Sequence, residues 1–394
     1  MKLVEFVPPV PHPLWELCPQ MGITDVIVKV NPDLTGLPDP WRYETLKSIV
    51  DRLASAGLTV AGLEGDPFDM TPIKNFGEQG TGNGEREEAL AHYRELLESM
   101  ARLGIKLLCY NFMVGKGWSR TGVREGRGGA KATYFSLSTP LCDSAPSAGE
   151  NSTCSARSTR FNNSNSPLCD SASSAGENST RLKLSHEQVW ANYEYFIKAV
   201  MPTAERCGVR MGLHPDDPCL PSLGGYARIF GSVEAYDRAY ALYPSPSNAV
   251  TFCQANFKLM FEPGEQGSGE GNSQLETRNS ELQTLEGVAR HFGKRIAFIH
   301  VRDVEGTKED FTELFHDQGD TDQFALMRTY RELGLDVPVR GDHVPEMAYD
   351  RTLTPEGTPG YFTLGRLFAN GYLKALLQST ARKTGTCNEQ TGDE

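Results

Sequence analysis

VRMGLHPDDP, residues 209–218, carries the reading of the whole chain. A mostly apolar run ends on His214, and Pro-Asp-Asp-Pro then turns the backbone. An apolar run without polar alternation belongs to a strand buried on both faces, the pattern of a parallel sheet covered by helices. The pattern recurs in LVEFVP from Leu3, TDVIVKV from Thr24, LTVAGLEG from Leu58, IKLLCYNFM from Ile105, AVTFCQANF from Ala249, IAFIHVRD from Ile296 and VPVRGDHV from Val337. Between these runs lie helical patterns such as YETLKSIVDRLASAG, REEALAHYRELLESMARLG, EQVWANYEYFIKAVMPTAERCG and SVEAYDRAYALYP. Several end on Gly just before the next strand, the usual left-handed stop. Eight strand–helix units predict a (β/α)8 barrel.

The 394 residues and 39% hydrophobic content suffice for one such barrel, predicted as a single domain over residues 1–378. A net charge of −12 disfavours nucleic acid, whose affinity rests on cationic side chains. No run approaches the roughly 18 apolar residues of a membrane span, and the first twenty residues show no apolar core of a signal peptide. Nine cysteines, odd in number and without CxxC spacing, read as reduced thiols, so the expected location is cytoplasmic.

Two segments break the strand–helix rhythm. From about residue 136 to 185 the chain is rich in Ser, Asn and Ala and duplicates itself, PLCDSAPSAGENST at 140–153 and PLCDSASSAGENST at 167–180. Such a composition buries too little apolar surface to order itself. It reads as a disordered low-complexity insert whose removal, from about Ser136 to Thr180, should leave the fold intact. The sequons at Asn151, Asn162 and Asn178 read as chance matches. The stretch over 263–280, beginning PGEQGSG, and the tail over 379–394 read the same way.

His214 is one of a set. A metal-ligand type stands at or near the C-terminal end of each of the last four strands: His214 in GLHPDDP, Cys253 in TFCQANF, His300 in FIHVRDV and Asp342 in RGDHVPE. In a barrel those ends converge on one mouth, and neighbouring strands lie about 4.8 Å apart. Two imidazoles, a thiolate and a carboxylate suit Mn²⁺, Fe²⁺ or Zn²⁺ better than Ca²⁺ or Mg²⁺. A buried Cys is usually core and an Asp after a strand often a cap; four such coincidences in consecutive units favour a metal site.

GLHPDDP, TFCQANF, IHVRDVEGT, FHDQGDTD and DHVPEM together resemble the mannonate dehydratase family, as do LCYNFM, WSRT and PGYFTLGRLFANGYLKAL. The resemblance runs from the first strand to about Leu377, broken by the polar inserts. It implies a xylose-isomerase-like TIM barrel and a hydro-lyase that converts D-mannonate to 2-dehydro-3-deoxy-D-gluconate in hexuronate catabolism. It also implies His214, Cys253, His300 and Asp342 as the metal ligands, and Mn²⁺ or Fe²⁺ as the cofactor, with Zn²⁺ ranked below them. The chemistry is consistent: a proton α to a carboxylate is weakly acidic, and a cation stabilises the enolate-like charge. Base and acid must then flank the substrate. By resemblance these are His343 and Tyr361 (in TPGYF). Adjacent strand residues point to opposite faces, so Asp342 and His343 share the site only if the strand has turned between them.

Arg302, two residues past His300, is expected to clamp the substrate carboxylate; its structural alternative is a surface salt bridge with Asp303 or Glu305. Asn111, His316 and Lys258 are further sugar-acid candidates, against a plain strand end, rim loop and solvated lysine. Asp216 and Asp217 either support a ligand imidazole or shape the turn. The chain departs from the family at Gly341, where Pro is usual, and at Ala255, where Gly is usual; both put the rate in question. The expected partner is a small sugar acid, with no nucleic acid or membrane, and a homo-oligomer is compatible. Two other readings stay open: a xylose-isomerase-like isomerase or epimerase, and a catalytically silent metal-binding barrel.

Overall fold

The computed structural model describes residues 1–78, 82–115, 117–139, 182–261, 282–355 and 357–381. Its centre is a closed parallel barrel of eight strands. They are β1 (Lys2–Leu3, continuing as Glu5–Val7), β2 (Asp25–Val28), β3 (Thr59–Glu64), β4 (Leu107–Tyr110), β5 (Arg210–Leu213), β6 (Asn248–Cys253), β7 (Ile296–Val301) and β8 (Pro338–Gly341). The first half of β1 pairs with β8 and its second half with β2, which closes the ring. All eight sequence-predicted strands are present, and every pairing around the ring is parallel.

The apolar runs split by alternation. Val4, Ile27, Leu107, Cys109, Ala249 and Phe298 fill the barrel interior, with Ala297 joining them where the register of β7 against β6 shifts by one residue. Val26, Val28, Leu108, Tyr110, Met211, Leu213, Phe252, Ile299 and Val301 face the helices. The next inward positions toward the C-terminal ends are therefore Asn111, His214, Cys253, His300 and Asp342. Gly212 is needed one step below His214, since a Cβ there would lie 2.6 Å from Thr251 Oγ1 on the neighbouring strand.

The predicted helices form at Tyr43–Ser55, Asn83–Arg102, His186–Cys207 and Val233–Leu242. Gly57, Gly104 and Gly208 after the first three take φ of 76°, 78° and 60°. The last helix, Thr363–Ala381, runs three residues past the expected domain end at 378.

The sequence pattern did not anticipate a four-stranded antiparallel sheet at the mouth. It is built from Gly122–Glu125 and Lys131–Ser136, after β4, and Val304–Thr307 and Asp310–Glu313, after β7. Phe135, Phe311, Leu220, Leu223, Ala255, Leu259 and Val304 pack as its apolar base. The Ala255 methyl thus has an apolar place.

The duplicated stretch lies outside the described residues, as do the sequons, all of 263–280 and the tail beyond Ala381. The edges of the first insert need correcting. Ser136 is a paired strand residue whose N–H donates to Thr121 Oγ1 at 2.8 Å, and Leu184 is fully buried. Excising residues 141–180, rather than 136–180, is expected to move the melting temperature by less than the roughly 2–4 °C that 1 kcal/mol represents in a large domain. A larger fall in a calorimetric scan would show that the segment packs on the barrel.

Candidate metal centre and active site

His214, Cys253, His300 and Asp342 meet at the mouth, each offering a ligand atom within 4.8 Å of the others. The backbone places them. His214 N donates to Tyr110 O at 2.7 Å and Asp342 N to Val301 O at 2.9 Å, so both residues continue their strands' pairing beyond the formal ends. Cys253 Sγ lies 4.0 Å from Asp342 Oδ2, and His300 Nδ1 lies 3.6 Å from the same oxygen.

The donor set fits a divalent transition metal. His300 is fully buried, yet neither ring nitrogen has a hydrogen-bond partner among the described residues. Such orphaned polar atoms are costly unless something binds them. His214 Nδ1 sits 2.8 Å from Pro215 O, a carbonyl that only accepts, so Nδ1 carries the proton and Nε2 keeps its lone pair. Burial alone would raise the Cys253 thiol, but the neighbouring His214 and His300 imidazoles and the Arg302 guanidinium bring it down to about 6. It is a thiolate at neutral pH, the form that binds metal.

Glu64 and Arg340 back this cluster, and the sequence analysis missed both. Arg340 donates to Glu64 Oε1 at 2.6 Å, to Glu64 Oε2 at 3.1 Å and to Asp342 Oδ1 at 2.8 Å. Glu64 Oε2 also lies 3.5 Å from His300 Nε2. Arg340 stands two residues before Asp342, and Glu64 ends the third strand, so period-two spacing alone offered a signal for both.

His343 does face the site. Its backbone takes φ +43°, the left-handed region, directly after Asp342. That turn resolves the conflict between two adjacent residues and one face, at a cost of about 1–3 kcal/mol. The imidazole is held at both nitrogens: Nδ1 is 3.0 Å from Glu313 Oε1 and Nε2 is 2.9 Å from Tyr361 OH. Tyr361 OH lies 3.3 Å from Asp342 Oδ1, which joins the pair to the metal cluster. Burial, reinforced by Asp342, pushes the Tyr361 hydroxyl well above the ordinary tyrosine range, so it stays protonated. Trp118, partly exposed, tilts over the pair with its ring centre 5.1 Å from that of His343.

The other sequence-predicted residues are placed differently. Arg302 is fully buried, and its guanidinium donates to Glu313 Oε2 at 2.8 Å, Glu313 Oε1 at 2.7 Å, Asp217 Oδ2 at 2.9 Å and Asn256 Oδ1 at 2.7 Å. It is bound to protein carboxylates from the turn and the mouth sheet, not to Asp303 or Glu305. Arg120 donates to the same two carboxylates, at 2.7 Å to Asp217 and 2.6 Å to Glu313. Asp217 therefore anchors this buried four-charge cluster. Asp216 instead accepts from Phe230 N at 2.8 Å and faces Arg228, which shapes the turn.

His316 lies on the outer side of β8, where a Cβ on Gly341 would approach both its Nε2 and Ala369 Cβ at 3.2 Å. Its Nε2 is 2.8 Å from Val301 O. Lys258 points to Asp303, at 2.7 Å, and to Asp320. Asn111 stands at the inward end of β4, its Oδ1 accepting from Lys74 Nζ at 3.0 Å and Met113 N at 3.1 Å.

The chain is similar to known proteins over most of its length. The family model described as D-mannonate dehydratase (UxuA) matches residues 16–263 and 270–386. The mannonate dehydratase of Streptococcus equi subsp. zooepidemicus is 28% identical over 347 residues, 88% of this chain and 85% of that protein. That of Brachyspira hyodysenteriae is 27% identical over 362 residues, 91% and 92% of the two chains. The crystal structure of mannonate dehydratase from Streptococcus suis serotype 2 superposes with a TM-score of 0.71 at 23% identity, over 100% of this chain and 99% of that one. A 3-keto-D-glucoside 4-epimerase from E. coli shares the fold at a TM-score of 0.51 and 12% identity. The chain belongs to the D-mannonate dehydratase family of hydro-lyases.

Proposed function

We propose that this chain dehydrates D-mannonate to 2-dehydro-3-deoxy-D-gluconate and water as a cytoplasmic step of hexuronate catabolism. The observation that carries the reading is the hydrogen-bonded His343–Tyr361 pair, joined through Asp342 to a cluster of two imidazoles, a thiolate and a carboxylate. His214, Cys253, His300 and Asp342 would hold Mn²⁺ or Fe²⁺, with Zn²⁺ a poorer match. When bound, the ion supplies Lewis acidity that stabilises negative charge developing next to the substrate carboxylate.

The residues do the rest. His343 Nε2 takes the proton from C2. Tyr361 gives its hydroxyl proton to the C3 oxygen, the C3–O bond breaks, and water leaves. The resulting enol tautomerises to the 2-keto acid. The 2.9 Å contact between Nε2 and the phenol oxygen then passes the abstracted proton to Tyr361, which resets both groups. Arg302 and Arg120 do not clamp the substrate in this scheme; they hold Asp217 and Glu313 in place. Asn111, at the inward mouth, is the remaining candidate for a sugar hydroxyl.

The test is an assay of the metal-reconstituted protein on a panel of aldonic acids. A 2-keto-3-deoxy acid from D-mannonate is expected; epimerised or isomerised sugars, or no turnover, would overturn the reading. Glu64 gives a separate check on the metal. Partners that orient a ligating imidazole are typically worth about 10–100-fold in metal affinity. Glu64→Gln is therefore expected to weaken Mn²⁺ binding by that factor in chelator competition. Unchanged affinity would mean that His300 is oriented without Glu64.

A further inference from the structure

We propose that Glu313, at the end of a mouth-sheet strand, is the positioning residue that fixes the tautomer of His343 and so makes its Nε2 a base. The inference rests on the dehydratase reading for its kinetic consequence, but the tautomer itself stands on geometry.

Glu313 is buried, and its Oε1 lies 3.0 Å from His343 Nδ1. The same carboxylate accepts from Arg120 Nε at 2.9 Å, Arg120 Nη2 at 2.6 Å, Arg302 Nε at 2.8 Å and Arg302 Nη2 at 2.7 Å. Burial alone would favour the neutral acid, but Arg302, Arg120 and His343 hold the group well below the usual carboxylate range. An ionised carboxylate has no proton to donate. The short contact to His343 is therefore made only if Nδ1 carries the hydrogen.

Arg120 Nη2, 3.3 Å from Nδ1, does not compete for that position, because its two hydrogens go to Asp217 Oδ2 at 2.9 Å and Glu313 Oε1 at 2.6 Å. A guanidinium has no lone pair to offer, and both donors converge on Glu313 Oε1. With Nδ1 protonated, Nε2 presents its lone pair to the Tyr361 hydroxyl. The opposite tautomer would set a lone pair on Nδ1 against the carboxylate. The logic is that of a buried acid behind a catalytic histidine: it orients the ring and stabilises the imidazolium once the proton arrives. This gives the mouth sheet a task in the reaction, since it brings both Arg120 and Glu313 to the histidine.

The experiment uses the full-length protein, ¹⁵N-labelled at histidine and loaded with diamagnetic Zn²⁺. The His343 resonances are assigned by their loss in His343→Asn. The expected wild-type spectrum at neutral pH shows the Nδ1–H form. Glu313→Gln, whose amide both donates and accepts, is expected to mix the two tautomers. On the enzyme reconstituted with Mn²⁺ or Fe²⁺, it should lower kcat about 10²–10⁴-fold, the range of an acid–base contribution. KM and metal content should change little, and deuterium exchange at C2 should fall in parallel with kcat.

An Nε2–H form in the wild type would overturn the proposal even if the variant fails to fold. So would a folded Glu313→Gln with unchanged tautomer and kcat. Failure of the dehydratase reading looks different: the wild type would make no 2-keto-3-deoxy acid, while its Nδ1–H signal would remain.

Discussion

His343→Asn and Tyr361→Phe are each expected to lower kcat by about 10²–10⁴-fold, the usual contribution of a general acid or base, with bound metal and the fold unchanged. Neither group is among the four proposed ligands, but both lie against that cluster: Tyr361 OH is 3.3 Å and His343 Nε2 3.7 Å from Asp342 Oδ1. Asn keeps a polar group of similar reach without a base, and Phe keeps the ring contacts without the hydroxyl. Solvent-deuterium exchange at C2 separates the two roles. His343→Asn should stop exchange and dehydration together. Tyr361→Phe should retain exchange while dehydration falls, because the proton still leaves C2 but the C3 hydroxyl no longer gains one. Near-normal kcat in both variants, at full metal content, would move the acid–base role elsewhere.

Stripping the metal is expected to abolish turnover, and Mn²⁺ or Fe²⁺ to restore it. Cys253→Ser tests the same site from the protein side. A hydroxyl is a far poorer ligand than a thiolate, and Cys253 is held as a thiolate by the imidazoles around it. The loss of affinity should exceed the roughly 10–100-fold assigned to orienting partners such as Glu64. Metal affinity is read by chelator competition, so the result does not depend on knowing the substrate. Unchanged affinity and turnover would remove Cys253 from the ligand set. The Ser hydroxyl, nearly isosteric with the thiol, leaves the surrounding packing of β6 in place.

Much of this molecule was legible in local pattern. Apolar runs without alternation implied strands buried on both faces, and the structure closes eight of them into a ring. Period-two spacing and the common direction of parallel strands then force residues at equivalent strand ends into one mouth. That is why His214, Cys253, His300 and Asp342 group together from the sequence alone, and why the same spacing also points to Glu64 and Arg340. Local pattern ended where the strands ended. Whether His343 could share a face with Asp342 was decided by a backbone turn at φ +43°, which strand periodicity cannot express.

The partners of the buried charges were set by closure of the mouth. Arg120 reaches Glu313 across 193 positions of sequence because strands from two separate loops pair there. Arg302 had the inward spacing of a substrate clamp, yet Asp217 and Glu313 take its guanidinium. His316 had the composition of a mouth residue, yet its loop carries it behind β8. Alternation along a strand determines which face a side chain occupies. Which charge it meets there depends on loops that pack across the barrel end, and desolvation makes that choice, because a buried guanidinium takes the nearest carboxylate that can satisfy it.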